Sequence, residues 1–178
     1  MITIPDVLWD EMLDRFAEHP AGLERVAYLD GVRYAGIDGA EHGVATTLVI
    51  PRATLRPRNY DISADAMAAA GRHLHPNGLK RLLQVHTHGD DWVDHSDTDD
   101  ELAFTRRAGA ISIVLPFHAR RRPTPLDGGV HRRDTDGWTR VYGADAAGLV
   151  RLVGSVRDLR PQVQPSRRSV WRFWPWNR

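Results

Sequence analysis

The stretch at residues 82–104, LLQVHTHGDDWVDHSDTDDELAF, ends an apolar run on His-Thr-His and then lays down seven carboxylates before the next apolar face. It also holds three of the nine histidines of the chain. Like charges crowded this way repel, so they need either full solvation or a cation that gathers some of them. In an extended strand, residues i and i+2 share a face. His86 and His88 therefore present two imidazoles side by side at the end of LLQV. Histidine can be neutral near pH 7, the state that metal ligation requires. Further on, a helix begins near Ser96 and Asp99 lies in its first turn, from where its carboxylate can fold back over the strand end. Two imidazoles and one carboxylate make three ligands, which suits zinc with a fourth position for water better than calcium or magnesium. The same residues fit a second reading without metal. Ser96-Asp97-Thr98-Asp99 is a capping box, with Ser96 as N-cap and Asp99 reaching back from N3.

The chain has 178 residues (20.1 kDa), enough for one domain with a substantial core. It contains no cysteine, so thiolate zinc sites, disulfides and cysteine nucleophiles are excluded and any metal must be held by His, Asp or Glu. No apolar run approaches a membrane span, and the N-terminus MITIPDVLWDEML lacks a signal-peptide core, so a cytoplasmic location is expected. The net charge of +1 hides a division. Residues 1–105 hold 9 basic against 18 acidic side chains, and residues 106–178 hold 15 against 5. Lys80 is the only lysine. The boundaries expected are a domain over 1–160 and a basic, Trp-rich tail over 161–178. That tail is suited to packing on its own domain, to a partner, to a membrane interface or to single-stranded nucleic acid.

The periodicities predict an α/β alternation. PDVLWDEMLDRFAEH (5–19) carries Leu8, Trp9, Met12, Leu13 and Phe16 on one helical stripe. LERVAYLDGVRYAGI (23–37) and GVATTLVIP (43–51) read as strands. SADAMAAAGRHLH (63–75) is a helix capped by Ser63, and LKRLLQVHTH (79–88) is a strand. DTDDELAFTRRAG (97–109) predicts a helix with acids first and bases last. AISIVLPFH (110–118) alternates as a strand, and GVHRRDTDGWTRVYG (129–143) reads as a hairpin around Asp136-Gly137. ADAAGLVRLVGSVRDL (144–159) has helical spacing interrupted by glycines. The expected architecture is one mixed β-sheet flanked by helices.

Taken together, His86-Thr87-His88, Ser96 and Asp99 spell H-x-H-x7-S-x2-D, which resembles the metalloprotease motif of the JAB/MPN (JAMM) family. That family also carries an upstream glutamate in a setting like P-x-x-x-E-x-x-G-x-L-x-G. PAGLERVAYLDG supplies Pro20, Glu24, Leu29 and Gly31 there, with Ala27 where glycine is common. Two positions depart from the pattern, Gly89 after the second histidine and His95 before the serine, both usually or often proline; they bear on loop shape and substrate choice. His95 reads as a solvent-exposed side chain ahead of a spare proton carrier, and Thr87 is expected to face away from the ligands into the sheet.

The resemblance implies a single MPN-like (cytidine-deaminase-like) domain in which His86, His88 and Asp99 hold one zinc ion. It further implies Glu24 as general base and proton carrier and Ser96 as donor to the oxyanion. On its own, Glu24 also reads as a surface strand acid beside Arg25. The activity implied is hydrolysis of the isopeptide or peptide bond after the C-terminus of a ubiquitin-like modifier. Small bacterial members of the family resemble parts of modifier systems with activating and conjugating enzymes, some tied to phage defence. Rival readings are a metal-free MPN scaffold that binds a partner and a nucleic-acid module on the basic C-terminal part, for which no recognised motif is present. A related zinc deaminase is excluded by the missing P-C-x-x-C segment.

Overall fold

The computed structural model describes residues 1–156 apart from 19, 38 and 102. The Arg- and Trp-rich tail expected from residue 161 onward lies outside the described residues. The fold is a mixed α/β arrangement built on an eight-stranded sheet, as the alternation of elements predicts. In chain order the elements are β1 (Ile2–Pro5), α1 (Asp6–Ala17), β2 (Val26–Ala35), β3 (Glu41–Val49), β4 (Thr54–Arg56), β5 (Asn59–Asp61) and α2 (Ala64–Gly71). There follow β6 (Lys80–Thr87), α3 (Asp97–Glu101), β7 (Ile111–Leu115), β8 (Gly129–Arg133), β9 (Trp138–Val141), α4 (Gly143–Leu149) and β10 (Val150–Val153). The strand order is β10-β1-β3-β2-β6-β7-β8-β9, while β4 and β5 form a separate hairpin. No helix among the described residues is long and apolar enough to cross a membrane.

Strand β6 lies inside the sheet, antiparallel to β2 and parallel to β7. Its last six residues, Leu82 to Thr87, are all buried, as expected for an interior strand covered on both faces. On one face Leu83 and Val85 join Ile113, Leu115, Ala27 and Leu29 in a core against which α1 lays Trp9, Met12, Leu13 and Phe16. Burying each of these large side chains contributes about 1.5–3 kcal/mol. Trp9 satisfies its indole N–H on the carbonyl of Pro123 at 2.9 Å, so its burial leaves no donor unpaired.

The other face of β6 carries Gln84 and His86. A register shift opposite Leu29/Asp30 leaves Leu82 as the extra residue, which brings Arg81 across from Asp30. Asp30 is fully buried and takes bonds of 3.0 and 3.2 Å from Arg81, with His73 Nε2 also at 3.0 Å. The Arg81 guanidinium lies over the Tyr28 ring at 3.8 Å. On the other side of β2, a Cβ on Gly31 would meet the Val44 carbonyl oxygen at 2.0 Å, so only glycine allows β3 to approach there.

Several elements differ from the periodic reading. The strand β1 precedes α1, and the predicted helix over 144–159 stops at Leu149 and becomes β10. These two strands pair in parallel, Ile2 with Val150 through Pro5 with Val153. β-Branched and aliphatic residues gain more there as buried sheet than as helix. The helix expected over 97–109 ends at Glu101. Phe104 then packs its ring 5.9 Å from Tyr28 and 6.2 Å from Trp138, which draws the chain off the helical path. The helix expected over 63–75 runs over Ala64–Gly71, with Ser63 Oγ accepting from the Ala66 N–H at 3.2 Å.

Beyond β7 the chain enters a left-handed turn, with φ of 52°, 53° and 59° at Phe117, His118 and Ala119. The N–H groups of Phe117 and His118 donate to the carbonyls of Asp90 and His88 at 2.8 and 2.7 Å.

Replacing Arg81 by Ala strands the Asp30 carboxylate in the sheet with only His73 beside it. Urea unfolding should show a loss of roughly 3 kcal/mol relative to wild type, and an unchanged midpoint would mean that Asp30 does not depend on that partner.

Candidate metal centre

His86 and His88 leave the C-terminal end of β6 on one face, as the period of two predicts. Each residue of the group His86, His88 and Asp99 offers one ligand atom, and these atoms all lie within 4.8 Å of one another, so the group could hold a metal ion. His86 is fully buried and His88 is 5% exposed, so water does not satisfy their rings freely. His88 Nδ1 faces the Trp92 carbonyl at 2.9 Å, and the ring stacks on the Trp92 indole at a centroid distance of 5.0 Å. Donation of Nδ1–H to that carbonyl leaves Nε2 with a free lone pair, the form a metal-ligating histidine adopts. His86 Nε2 lies 3.3 Å from Asp99 Oδ1 but out of hydrogen-bond alignment, and it is buried without a partner. A buried nitrogen in that state is what a metal ion would satisfy.

Asp99 also makes the capping box that the sequence allows. Its Oδ2 accepts from the Ser96 N–H at 2.8 Å and the Ser96 hydroxyl at 2.7 Å, while Ser96 Oγ accepts the Asp99 N–H at 3.2 Å. The cap is therefore what aims the carboxylate at the two imidazoles. Burial raises the Asp99 carboxyl, but His86, His88 and the Ser96 hydroxyl outweigh it and hold the group well below the usual carboxylate range.

Thr87, between the two histidines, faces away from them as expected. It is fully buried, its Oγ1 accepts the Arg25 N–H at 3.0 Å and its own N–H donates to the Arg25 carbonyl at 3.1 Å. That reciprocal pair fixes the backbone next to Glu24, whose N–H donates to the Arg56 carbonyl at 2.8 Å. Glu24 is 5% exposed and so is not a surface strand acid. It shares an open cleft of about 560 Å³ with Arg58, His88, Asp90, Trp92 and Ser96. Burial pushes its carboxyl up to about 7, with Asp99 and Asp90 adding to the rise and His88 opposing it.

The two departures at the motif have local causes. A Cβ on residue 89 would come 3.1 Å from His118 Nε2, so Gly89 gives the room that a proline ring would fill. The His95 side chain, expected in solvent, is 6% exposed. Its Nδ1 meets Asp100 Oδ1 at 2.9 Å, its Nε2 meets Ser112 Oγ at 3.0 Å, and its ring stacks on His131 at 4.1 Å. Burial, followed by the neighbouring His86, pushes its imidazole down to about 3. Sequence reasoning also passed over Trp92 and Gln84. Gln84 sits two residues before His86 on the same strand face, a signal that period-two reading could have used.

No protein-family model and no curated protein matches the chain. Its structure is similar to the solution structure of a protein from Desulfitobacterium hafniense, with TM-score 0.64, 17% identity, and coverage of 88% of this chain and 95% of that one. It is also similar to the solution structure of a protein from Salinibacter ruber, with TM-score 0.49, 24% identity, and coverage of 79% and 88%. The first likeness is one of fold.

A carboxyl raised by burial costs stability once pH exceeds its ordinary value of 4.5, and the cost is complete above about 7. In chelator-treated protein, Glu24→Gln should therefore melt with the wild type at pH 4, increasingly above it from pH 5 to about 7, and by a constant margin beyond. A difference in melting temperature that does not change with pH would show that Glu24 is not held in this way.

Proposed function

We propose that this chain is a zinc-dependent metallopeptidase of the JAB/MPN (JAMM) type. Its reaction is hydrolysis of the amide bond after the C-terminus of a ubiquitin-like modifier. One pair of distances carries the reading. Donor atoms bound to zinc in a tetrahedron at about 2.0–2.1 Å stand about 3.3–3.4 Å from each other. His86 Nε2 stands 3.3 Å from Asp99 Oδ1 and His88 Nε2 stands 3.4 Å from Asp99 Oδ2, so each imidazole comes within such a distance of the carboxylate, through different oxygens, which supports convergence of the three side chains on one ion. A zinc ion held by His86, His88 and Asp99 would supply Lewis acidity and acidify a water molecule.

The protein's own groups supply the remaining chemistry. Glu24, with its carboxyl lifted to about 7, takes a proton from the attacking water and hands it to the leaving amine at neutral pH. Ser96 lines the same cleft. Rotated away from Asp99, its hydroxyl donates to the oxygen on which negative charge develops in the substrate. The β4–β5 hairpin is not joined to the main sheet, and its turn residues Pro57 and Arg58 border the cleft. An extended modifier tail can add to such an edge through main-chain hydrogen bonds, which supports a peptide tail as substrate. Activating and conjugating enzymes of a bacterial modifier system are the partners this reading entails.

One observation favours a second reading, a binding module of the same fold that cuts nothing. The capping box gives Asp99 two donors from Ser96 with no metal required.

Purified protein should carry about one zinc per chain and cleave a ubiquitin-like protein bearing a C-terminal extension, with activity lost to chelator and restored by zinc. Glu24→Ala should keep its zinc and leave the fusion intact, whereas His88→Ala should lose the metal. Wild-type protein that takes up no zinc under saturating conditions would select the binding module.

A further inference from the structure

The two imidazoles are not provided for equally. Nδ1 of His88 has the Trp92 carbonyl as a fixed acceptor. On His86, Nε2 faces Asp99, so Nδ1 must carry the ring proton whenever Nε2 is to offer a lone pair. The group set against that Nδ1 is the Gln84 side-chain amide, at 3.5 Å. The same end of the amide, placed as its nitrogen, lies 2.7 Å from the Tyr60 hydroxyl, to which it donates. Gln84 is 5% exposed, and the Tyr60 ring packs 5.6 Å from His86.

The two ends of an amide have the same shape, and their identity follows from their partners. With nitrogen at the shared end, an N–H would face Nδ1, and the ring proton would be forced onto Nε2, toward Asp99. With oxygen at that end, its two lone pairs accept one proton each, from Tyr60 Oη–H and from His86 Nδ1–H. Only the second arrangement gives the Tyr60 and His86 protons an acceptor and leaves Nε2 open. We propose that Gln84 presents its amide oxygen to His86 and Tyr60 together and so fixes the tautomer that makes His86 a metal ligand.

The assignment rests on the metal-site reading above and deepens it. Gln84 is a positioning residue that acts through His86. Tyr60 belongs to β5, so the hairpin bordering the cleft is tied through Gln84 to the buried ligand.

Two measurements test this on the full chain. In metal-free, nitrogen-15-labelled protein, long-range proton–nitrogen correlation should find His86 protonated on Nδ1. Gln84→Met, close in size but a far weaker acceptor, should shift His86 toward the Nε2–H form. Gln84→Glu, which accepts but does not donate, should keep Nδ1–H. The His88 pattern should stay fixed in both variants, since a general disturbance of the fold would move both rings. In zinc competition against a chromophoric chelator, Gln84→Met should bind about 10–100-fold more weakly than wild type, and Gln84→Glu as tightly or more so. Wild-type His86 protonated on Nε2, or a Met variant that binds zinc like wild type, overturns the assignment. Absence of zinc uptake by wild type would instead overturn the proposed function, and the tautomer measurement would still decide the role of Gln84.

Discussion

Burial of β6 on both faces is the constraint from which the site follows. A strand with water on one side could carry Gln84, His86 and Thr87 at little cost. Here each of them is sealed in the sheet, and an unpaired polar group in such a place costs about 1–3 kcal/mol. The groups set against them come from different parts of the chain. Thr87 takes the backbone of Arg25, Gln84 takes Tyr60, and the imidazoles face Asp99. Packing that keeps solvent out thus gathers the Glu24 segment, the β4–β5 hairpin and the start of α3 around one strand end.

The fate of the acids after His88 shows the same economy of partners. Asp90 accepts the Trp92 N–H at 3.1 Å and so shapes the loop whose carbonyl serves His88. Asp94 takes Arg140 at 2.9 Å beside the buried His131, and Asp100 takes His95. Asp99 turns toward the two imidazoles of His86 and His88. The charge crowding in this stretch is thus relieved piecemeal: some carboxylates meet a base or a backbone donor, while Asp91 and Asp97 remain exposed to water.

Where a residue's role depends on local spacing, the sequence made it legible. The strand period places His86 and His88 together, and the cap at Ser96 fixes the direction of Asp99, so those positions could be read without a structure. The α1 stripe was legible for the same reason. Parallel pairing of β1 with β10 was not, because its partners are nearly the whole described chain apart and neither strand exceeds four residues. The early end of α3 depends on where the Phe104 ring lodges, a tertiary fact that outweighs propensity. Burial of His95 comes with a stack on His131, a residue on β8, distant in sequence. Glu24 was visible only through the resemblance, since nothing in its own neighbourhood announces that Thr87 and Arg56 hold the backbone around it.

The left-handed turn at Phe117–Ala119 has a bearing on how the site holds together. L-residues in that conformation cost about 1–2 kcal/mol each, and two of the bonds that oppose this cost run to the carbonyls of His88 and Asp90. The segment just past the second histidine and a turn nearly thirty residues downstream are thereby joined by two backbone hydrogen bonds, so separating one from the other breaks both.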